Sequence, residues 1–172
     1  MEPDPRLLGP CDDPLLSEEI NTDAAAAKAL KEFKARADQS GEPLELREYG
    51  AWLYRDTDGS ILFGNVVRGD PYAASVSPWT TEALEGVPFD QVVGFIHNHP
   101  GGGATPSVGD WHVYHEAYQR IVAAGGTDAQ NFRLYVAGTV NGATRLFVNK
   151  GAAYGTSNPG LEVHPDTRPC GG

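Results

Sequence analysis

Two histidines followed by a proline and a run of glycines restrict the fold of this chain more than any other feature. The stretch reads HNHPGGGATPSVGD and starts at His97, directly after the apolar residues 92–96. Such an apolar run predicts a buried strand, and side chains two positions apart on a strand point to the same face. We therefore expect His97 and His99 on one face, with Pro100 ending the strand because it has no N–H to donate.

The second half of the same stretch brings a carboxylate towards the histidines. Glycines at positions 101–103 allow a sharp reversal, and Ser107 and Asp110 have the spacing of a capping box at the start of a helix. This structural interpretation is compatible with metal binding, because an aspartate in a first helical turn is kept ionised by the helix dipole. Taken singly these residues would be expected only to pack or to face solvent. Jointly, two imidazoles and one carboxylate with an open position have the form of a catalytic zinc site.

The joint pattern resembles the signature of the JAMM (MPN+) metalloprotease family, His-x-His-Pro-x6-Ser-x-x-Asp. Its positions are filled here by His97, His99, Pro100, Ser107 and Asp110. The string HNHP-GG…PS..D looks like the bacterial RadC-type branch. The segment EYGAWLYRDTDGS, which starts at Glu48, looks like a JAMM-like family found at the ends of bacterial polymorphic toxins. The resemblance covers residues 23–150 and implies Zn²⁺ held by the two histidines and the aspartate.

A glutamate on an early strand completes the family's site, and Glu48 fits that position as the general acid and base. On a strand its side chain shares a face with Leu46, Gly50 and Trp52. An acid on such a face would be costly without a purpose. Glu45 falls on the opposite face and Glu42 in the preceding turn, so both are weaker candidates. The Ser107 hydroxyl is expected to stabilise the oxyanion that forms during attack on an amide.

The order of the predicted elements indicates an α/β sandwich, a mixed sheet with a helix on either face. Helices are predicted over residues 22–39 and 107–124, and strands over residues 44–56, 60–67, 91–98, 132–137 and 144–149. The apolar helix faces would be formed by Ala26, Leu30, Phe33 and Ala37, and by Trp111, Tyr114, Ala117, Tyr118 and Ile121. The resemblance implies the same JAMM sandwich, similar to the cytidine deaminase fold. Deamination itself is excluded, because the His-x-Glu and Pro-Cys-x-x-Cys ligands of the deaminases are missing.

The chain is expected to hold one domain over residues 21–150, with Pro- and Gly-rich arms at residues 1–20 and 151–172. Residues 68–90 form a predicted loop that is long enough to border the site and shape specificity. Tyr72 and Trp79 are its expected substrate contacts, although either could instead pack beneath the loop.

The composition limits the partners of the protein. A net charge of −10 and a pI near 4.8 oppose binding to nucleic acid or to an anionic membrane, so we expect a protein or peptide substrate. The sequence has neither a membrane-spanning run of about 20 apolar residues nor a signal peptide. A cytoplasmic protein is therefore expected, with delivery by a specialised secretion system left open. Free thiols are favoured for Cys11 and Cys170 over a bridge between the termini.

These observations predict a zinc metallopeptidase or isopeptidase that hydrolyses amide bonds. Fe²⁺ or Mn²⁺ is an alternative metal, because a His₂-carboxylate set is not unique to zinc. Three alternatives for the function stay open: a RadC-like protein in DNA transactions, a catalytically silent metal-containing interaction module, and a toxin effector domain with the same site. The remaining histidines are expected at the surface. His112 and His115 do not share the helical face of Asp110, and His164 lies in the C-terminal arm.

Overall fold

The computed structural model describes residues 9–70, 76–151 and 158–171 of the chain. The helices are α1 (Pro14–Ser40), α2 (Thr81–Leu84) and α3 (Val108–Ala123). The strands are β1 (Tyr49–Arg55), β2 (Ile61–Phe63), β3 (Val67–Arg68), β4 (Val92–Asn98), β5 (Arg133–Val140), β6 (Ala143–Asn149) and β7 (Leu161–Val163).

In the described part of the chain, the seven strands form one open mixed sheet in the order β2-β1-β4-β5-β6-β7, and β3 pairs with β1 beside β2. The pairing of β4 with β5 is parallel, and the other pairings are antiparallel. A parallel pair needs a long crossover, and α3 lies in this connection. The predicted mixed α/β sheet is thus confirmed, and β4, which carries the histidines, lies at its centre.

Each face of the sheet has its own apolar core. Along β5, Tyr135 and Ala137 pack with α1 on one face, while Leu134 and Val136 pack with α3 on the other. This alternation follows from the two-residue period of a strand. All four predicted apolar residues of α1 are buried: Ala26, Leu30, Phe33 and Ala37. On α3 the prediction was wrong for Tyr118, which is 39% exposed, whereas the other four residues of its stripe are buried.

Helix α1 begins at Pro14, earlier than the predicted start at residue 22. The carboxylate of Asp13 accepts hydrogen bonds from Leu15 N at 2.9 Å and Leu16 N at 3.1 Å, and proline is well suited to the first helical position. Thr22 is therefore not a cap. It is buried inside the helix, and its hydroxyl donates to Glu18 O at 2.7 Å. The predicted N-terminal arm was wrong for residues 14–20, which belong to α1.

The C-terminal segment also joins the fold. Strand β7 pairs with β6, and Cys170 forms a disulfide with Cys11 across a sequence separation of 159 residues. The Cys170 N–H also donates to Asn21 Oδ1 at 2.7 Å. The prediction of two free thiols was wrong, because β7 and this contact with α1 bring the C-terminal segment back to the start of the chain. Neither long helix of the described residues is apolar enough to cross a membrane.

Candidate metal centre

Both histidines of the motif lie at the carboxyl end of β4. His97 pairs with Gly50 of β1 and with Val136 of β5, and His99 follows the strand, with its N–H donating to Ala137 O at 2.8 Å. Their side chains point to the α3 side of the sheet, as the alternation of strand side chains predicts. The backbone on both sides of β4 therefore fixes where the two imidazoles lie.

The imidazoles of His97 and His99 meet the carboxylate of Asp110. His97 Nε2 is 2.9 Å from Asp110 Oδ1, and His99 Nε2 is 2.8 Å from Asp110 Oδ2. The two Nε2 atoms are 3.2 Å apart. Among the described residues this is the group that could hold a metal ion, because its ligand atoms all lie within 4.8 Å of one another.

Asp110 reaches this position as part of the capping box that begins α3. Its N–H donates to Ser107 Oγ at 3.1 Å, and Ser107 N–H donates to Asp110 Oδ2 at 2.8 Å. Burial alone would raise the pKa of Asp110, but hydrogen bonds from His97 and His99 hold it well below its usual range. The predicted capping role and the predicted ligand role therefore fall on the same carboxylate.

The loop after β4 fixes the tautomer of His99. His99 Nδ1 lies 2.9 Å from Gly103 O, and a carbonyl oxygen can only accept, so Nδ1 carries the hydrogen. Nε2, the nitrogen that faces Asp110, donates to that carboxylate and would give up its hydrogen in order to bind a metal ion. His97 Nδ1, in contrast, is buried and has no hydrogen-bond partner within the described residues. The His97 ring instead stacks on Phe95, with centroids 5.8 Å apart.

Gly138 of β5 packs against the loop that follows β4, a role that the sequence did not indicate. Thr139 N–H donates to Gly102 O at 2.8 Å, which holds the loop against β5. A Cβ on Gly138 would clash with the carbonyl carbon of Gly103 and lie 2.6 Å from Ala104 N. Only glycine therefore allows the loop to approach β5 closely enough to present its carbonyl to His99.

Glu48 lies one residue before β1 and lines the same cavity as the three candidate ligands. The strand that was predicted over residues 44–56 begins only at Tyr49, because residues 44–46 form a 3-10 turn. Leu46 was predicted to share a strand face with Glu48. This was wrong, because Leu46 lies in that turn and is 58% exposed. Burial raises the pKa of the Glu48 carboxyl above its usual value, against the opposing influence of His97 and of a hydrogen bond from the Val76 backbone.

The side chain of Asn98 holds the segment that leads to Glu48. Its Oδ1 accepts from Tyr49 N at 2.6 Å, and its Nδ2 donates to Leu44 O at 3.2 Å and to Arg47 O at 2.9 Å. Asn98 is buried and points to the opposite face of β4 from its histidine neighbours. The strand that carries the candidate ligands thus also positions the candidate acid and base, a link that the sequence did not reveal.

A cavity of about 480 Å³ opens beside the candidate ligands. The lining includes His97, His99, Asp110, Ser107 and Glu48, and the rest of it is largely apolar. The cavity therefore brings together all five residues that were predicted to carry the chemistry. His112, His115 and His164 are exposed, as predicted.

The segment before β4 contributes to the cavity, although not through Trp79. Val76 and Pro78 are among the lining residues. Trp79 packs on Trp52 with ring centroids 5.0 Å apart, and the Arg120 guanidinium lies 4.1 Å from its ring. Trp79 therefore packs beneath this segment, and its substrate contact stays a prediction. Tyr72 lies outside the described residues.

No protein-family model matches the chain, and no curated protein matches its sequence. The geometry alone defines the class: a mixed α/β protein in which a buried strand end and a helix start form a His-His-Asp group at a cavity. Such a group could hold a metal ion.

Proposed function

We propose that this chain is a zinc-dependent hydrolase of amide bonds, a JAMM-type metallopeptidase or isopeptidase. The observation that carries the proposal is the approach of the His97, His99 and Asp110 ligand atoms to within 4.8 Å of one another, beside a cavity that Glu48 and Ser107 also line. A solely structural metal site would not require an acid, a hydroxyl and an open cavity at the same point.

The donor set fits zinc. Imidazole nitrogen and carboxylate oxygen bind Zn²⁺ at about 2.0–2.2 Å, and two such bonds at the tetrahedral angle place their donor atoms about 3.3 Å apart. The separations of 2.8, 2.9 and 3.2 Å are close to this value. The hydrogen bond from His99 Nδ1 to Gly103 O leaves Nε2 as the ligand atom once its hydrogen is released. When bound, zinc would lower the pKa of a coordinated water to about 7.

The side chains around this point have distinct proposed roles. Glu48 accepts a proton from the attacking water and delivers a proton to the leaving amine. Ser107 Oγ accepts from Asp110 N, and its own hydrogen is available to donate to the substrate carbonyl oxygen as negative charge develops there. One C–O bond forms and the C–N bond breaks, so that the products are a carboxylate and an amine.

We propose further that the fold is a JAMM-type sandwich. Ligands from the end of a central strand and from the start of the following helix agree with the JAMM-type, cytidine-deaminase-like sandwich that the sequence resembles. The acidic net charge of −10 does not favour the RadC-like alternative of DNA binding. An interaction module with a closed metal site is opposed by the cavity beside the ligands.

The mutation Glu48→Gln tests the proposed role of Glu48. It keeps the size and polarity of the side chain but removes the base, so the hydrolytic rate should fall by about 10² or more. Zinc content should stay at the level of the parent. The assay would use Lys-linked ubiquitin-like conjugates, short peptides and peptidoglycan fragments, with Glu45→Gln as the control because Glu45 is exposed. An unchanged rate in Glu48→Gln would show that another group is the base, and loss of zinc would make Glu48 a ligand.

We also infer that the hydrolase acts in an oxidising compartment, as a delivered effector would. The disulfide between Cys11 and Cys170 supports this inference, because disulfides rarely persist in a reducing cytosol. Expression directed to the bacterial periplasm should be toxic, and His97→Ala should abolish the toxicity. Equal toxicity of the parent and His97→Ala would contradict the effector role.

A further inference from the structure

We propose that the apolar part of the cavity is a specificity subsite for an apolar side chain next to the scissile amide bond. The inference rests on the proposed function and extends it to the substrate class. The subsite is defined by Val76, Pro78, Phe95, Val113 and Leu134.

The floor of the subsite continues directly from the candidate ligands. Phe95 precedes His97 by two residues on β4, and its register partner on β5 is Leu134. Both side chains belong to the core on the α3 side of the sheet. A group that extends from the candidate ligands towards these residues therefore leaves a polar environment and enters an apolar one.

The two walls come from different elements. On α3, Val113 follows Asp110 by three residues and so lies on the same helical face. On the other side, a Cβ on Gly50 would lie 2.8 Å from Phe95 Cζ and 2.9 Å from Val76 Cγ1. The missing side chain at Gly50 thus lets these two groups pack over β1. Pro78 is held by a hydrogen bond from Trp52 Nε1 to its carbonyl oxygen at 2.8 Å.

This arrangement selects among amide substrates. An apolar side chain that enters the cavity removes apolar surface from water, both its own and that of Val76 and Val113, which are only partly buried. A glycine beside the scissile bond would gain none of this free energy, and a charged side chain would lose its hydration without a partner. The site therefore favours a peptide with an aliphatic residue beside the cleaved bond over a linkage flanked by glycines.

Metal-directed probes measure the subsite without requiring turnover. The zinc-loaded chain would be titrated with the hydroxamates of N-acetylglycine, N-acetylleucine and N-acetylglutamate in a calorimeter. All three share the metal-binding group and differ only in the side chain. We expect the leucine probe to bind at least about tenfold more tightly than the glycine probe, the scale of burying an aliphatic side chain. The glutamate probe should gain nothing over glycine.

Two substitutions at Val113 show where any preference originates. Val113→Phe fills the subsite, and Val113→Thr places a hydroxyl in it with little change of shape, so both should reduce the leucine-to-glycine ratio towards unity. Val122→Phe and Val122→Thr are matched controls on the same helix, where Val122 is 53% exposed, and should keep the ratio of the parent. If Val113→Phe does not fold, the affinity ratio of Val113→Thr still tests the subsite.

The possible failures are distinguishable. Equal affinities of the parent for all three probes, or an unchanged ratio in both Val113 variants, would overturn the subsite while leaving the hydrolase proposal intact. A zinc-loaded chain that binds no hydroxamate would have no open metal position, which would overturn the proposed function and the subsite together.

Discussion

At the scale of single residues, the metal centre divides into contacts that are local in sequence and contacts that are not. His97, His99, Ser107 and Asp110 lie within one short stretch, so strand alternation and helix-start spacing were enough to predict their convergence. The hydrogen bonds of Asn98 reach residues 49 to 54 positions away. No spacing rule connects residues so distant, and this positioning role was therefore not predictable from the sequence.

The mutation Asn98→Asp should separate positioning from folding. An aspartate can still accept from Tyr49 N, but it cannot donate to Leu44 O and Arg47 O and would face these two carbonyls. We expect a loss of about 1–3 kcal/mol in the free energy of unfolding. Hydrolysis should fall by about 10²-fold, because Glu48 would lose its fixed position, with zinc content unchanged.

Asn149→Asp is the matched control for this experiment. Asn149 is also buried, and its Nδ2 donates to Pro159 O at 2.7 Å, so its loss should destabilise the chain similarly. It lies outside the cavity lining, and hydrolysis at a temperature where both variants are folded should match the parent. Equal rates in the two variants would leave Asn98 with a purely structural role.

At the scale of elements, the predicted bounds of α3, β4, β5 and β6 agree with the structure to within three residues. The strand predicted over residues 44–56 begins later, the strand predicted over residues 60–67 is divided into β2 and β3, and the ends of the described chain were predicted wrongly. The strong apolar period of residues 107–124 and 91–98 determined α3 and β4. The signal for the true start of α1, Asp13 followed by Pro14, lay in a segment whose prolines and acids suggested an arm. Strand β7 has only three residues, and its pairing with β6 is a tertiary contact that a local pattern does not encode.

The capping residues of α1 and α3 provide a comparison between stability and chemistry. Ser107→Ala and Asp13→Ala each remove an N-cap side chain, and each should lower the free energy of unfolding by about 1 kcal/mol. Only Ser107→Ala should lower the hydrolytic rate, by about 10²-fold, because Asp13 does not line the cavity. Denaturant unfolding and the hydrolysis assay measure the two effects. A rate in Ser107→Ala equal to that in Asp13→Ala would restrict Ser107 to capping.

At the scale of the whole molecule, a disulfide and an edge strand tie both ends of the described part of the chain to the sheet and α1. The bridge between Cys11 and Cys170 encloses nearly the whole described chain, so it restricts the unfolded chain strongly. Its position away from the cavity separates its effect on stability from any effect on the metal centre.

Removal of the disulfide should therefore destabilise the fold without affecting the candidate site. The double substitution Cys11→Ser and Cys170→Ser should lower the free energy of unfolding by about 2–5 kcal/mol. Zinc content of the folded fraction should equal that of the parent. Unfolding curves that coincide for the parent and the double variant would show that the bridge does not form in solution.

Zinc content is the most direct test of the central claim, that His97, His99 and Asp110 hold a catalytic metal. Elemental analysis of the purified parent should give close to one zinc per chain, and His97→Ala and Asp110→Ala should each lose most of it. His112→Ala, which removes an exposed histidine two residues beyond Asp110, should keep the zinc of the parent. A parent without zinc after metal loading, or full zinc in either ligand variant, would contradict the account.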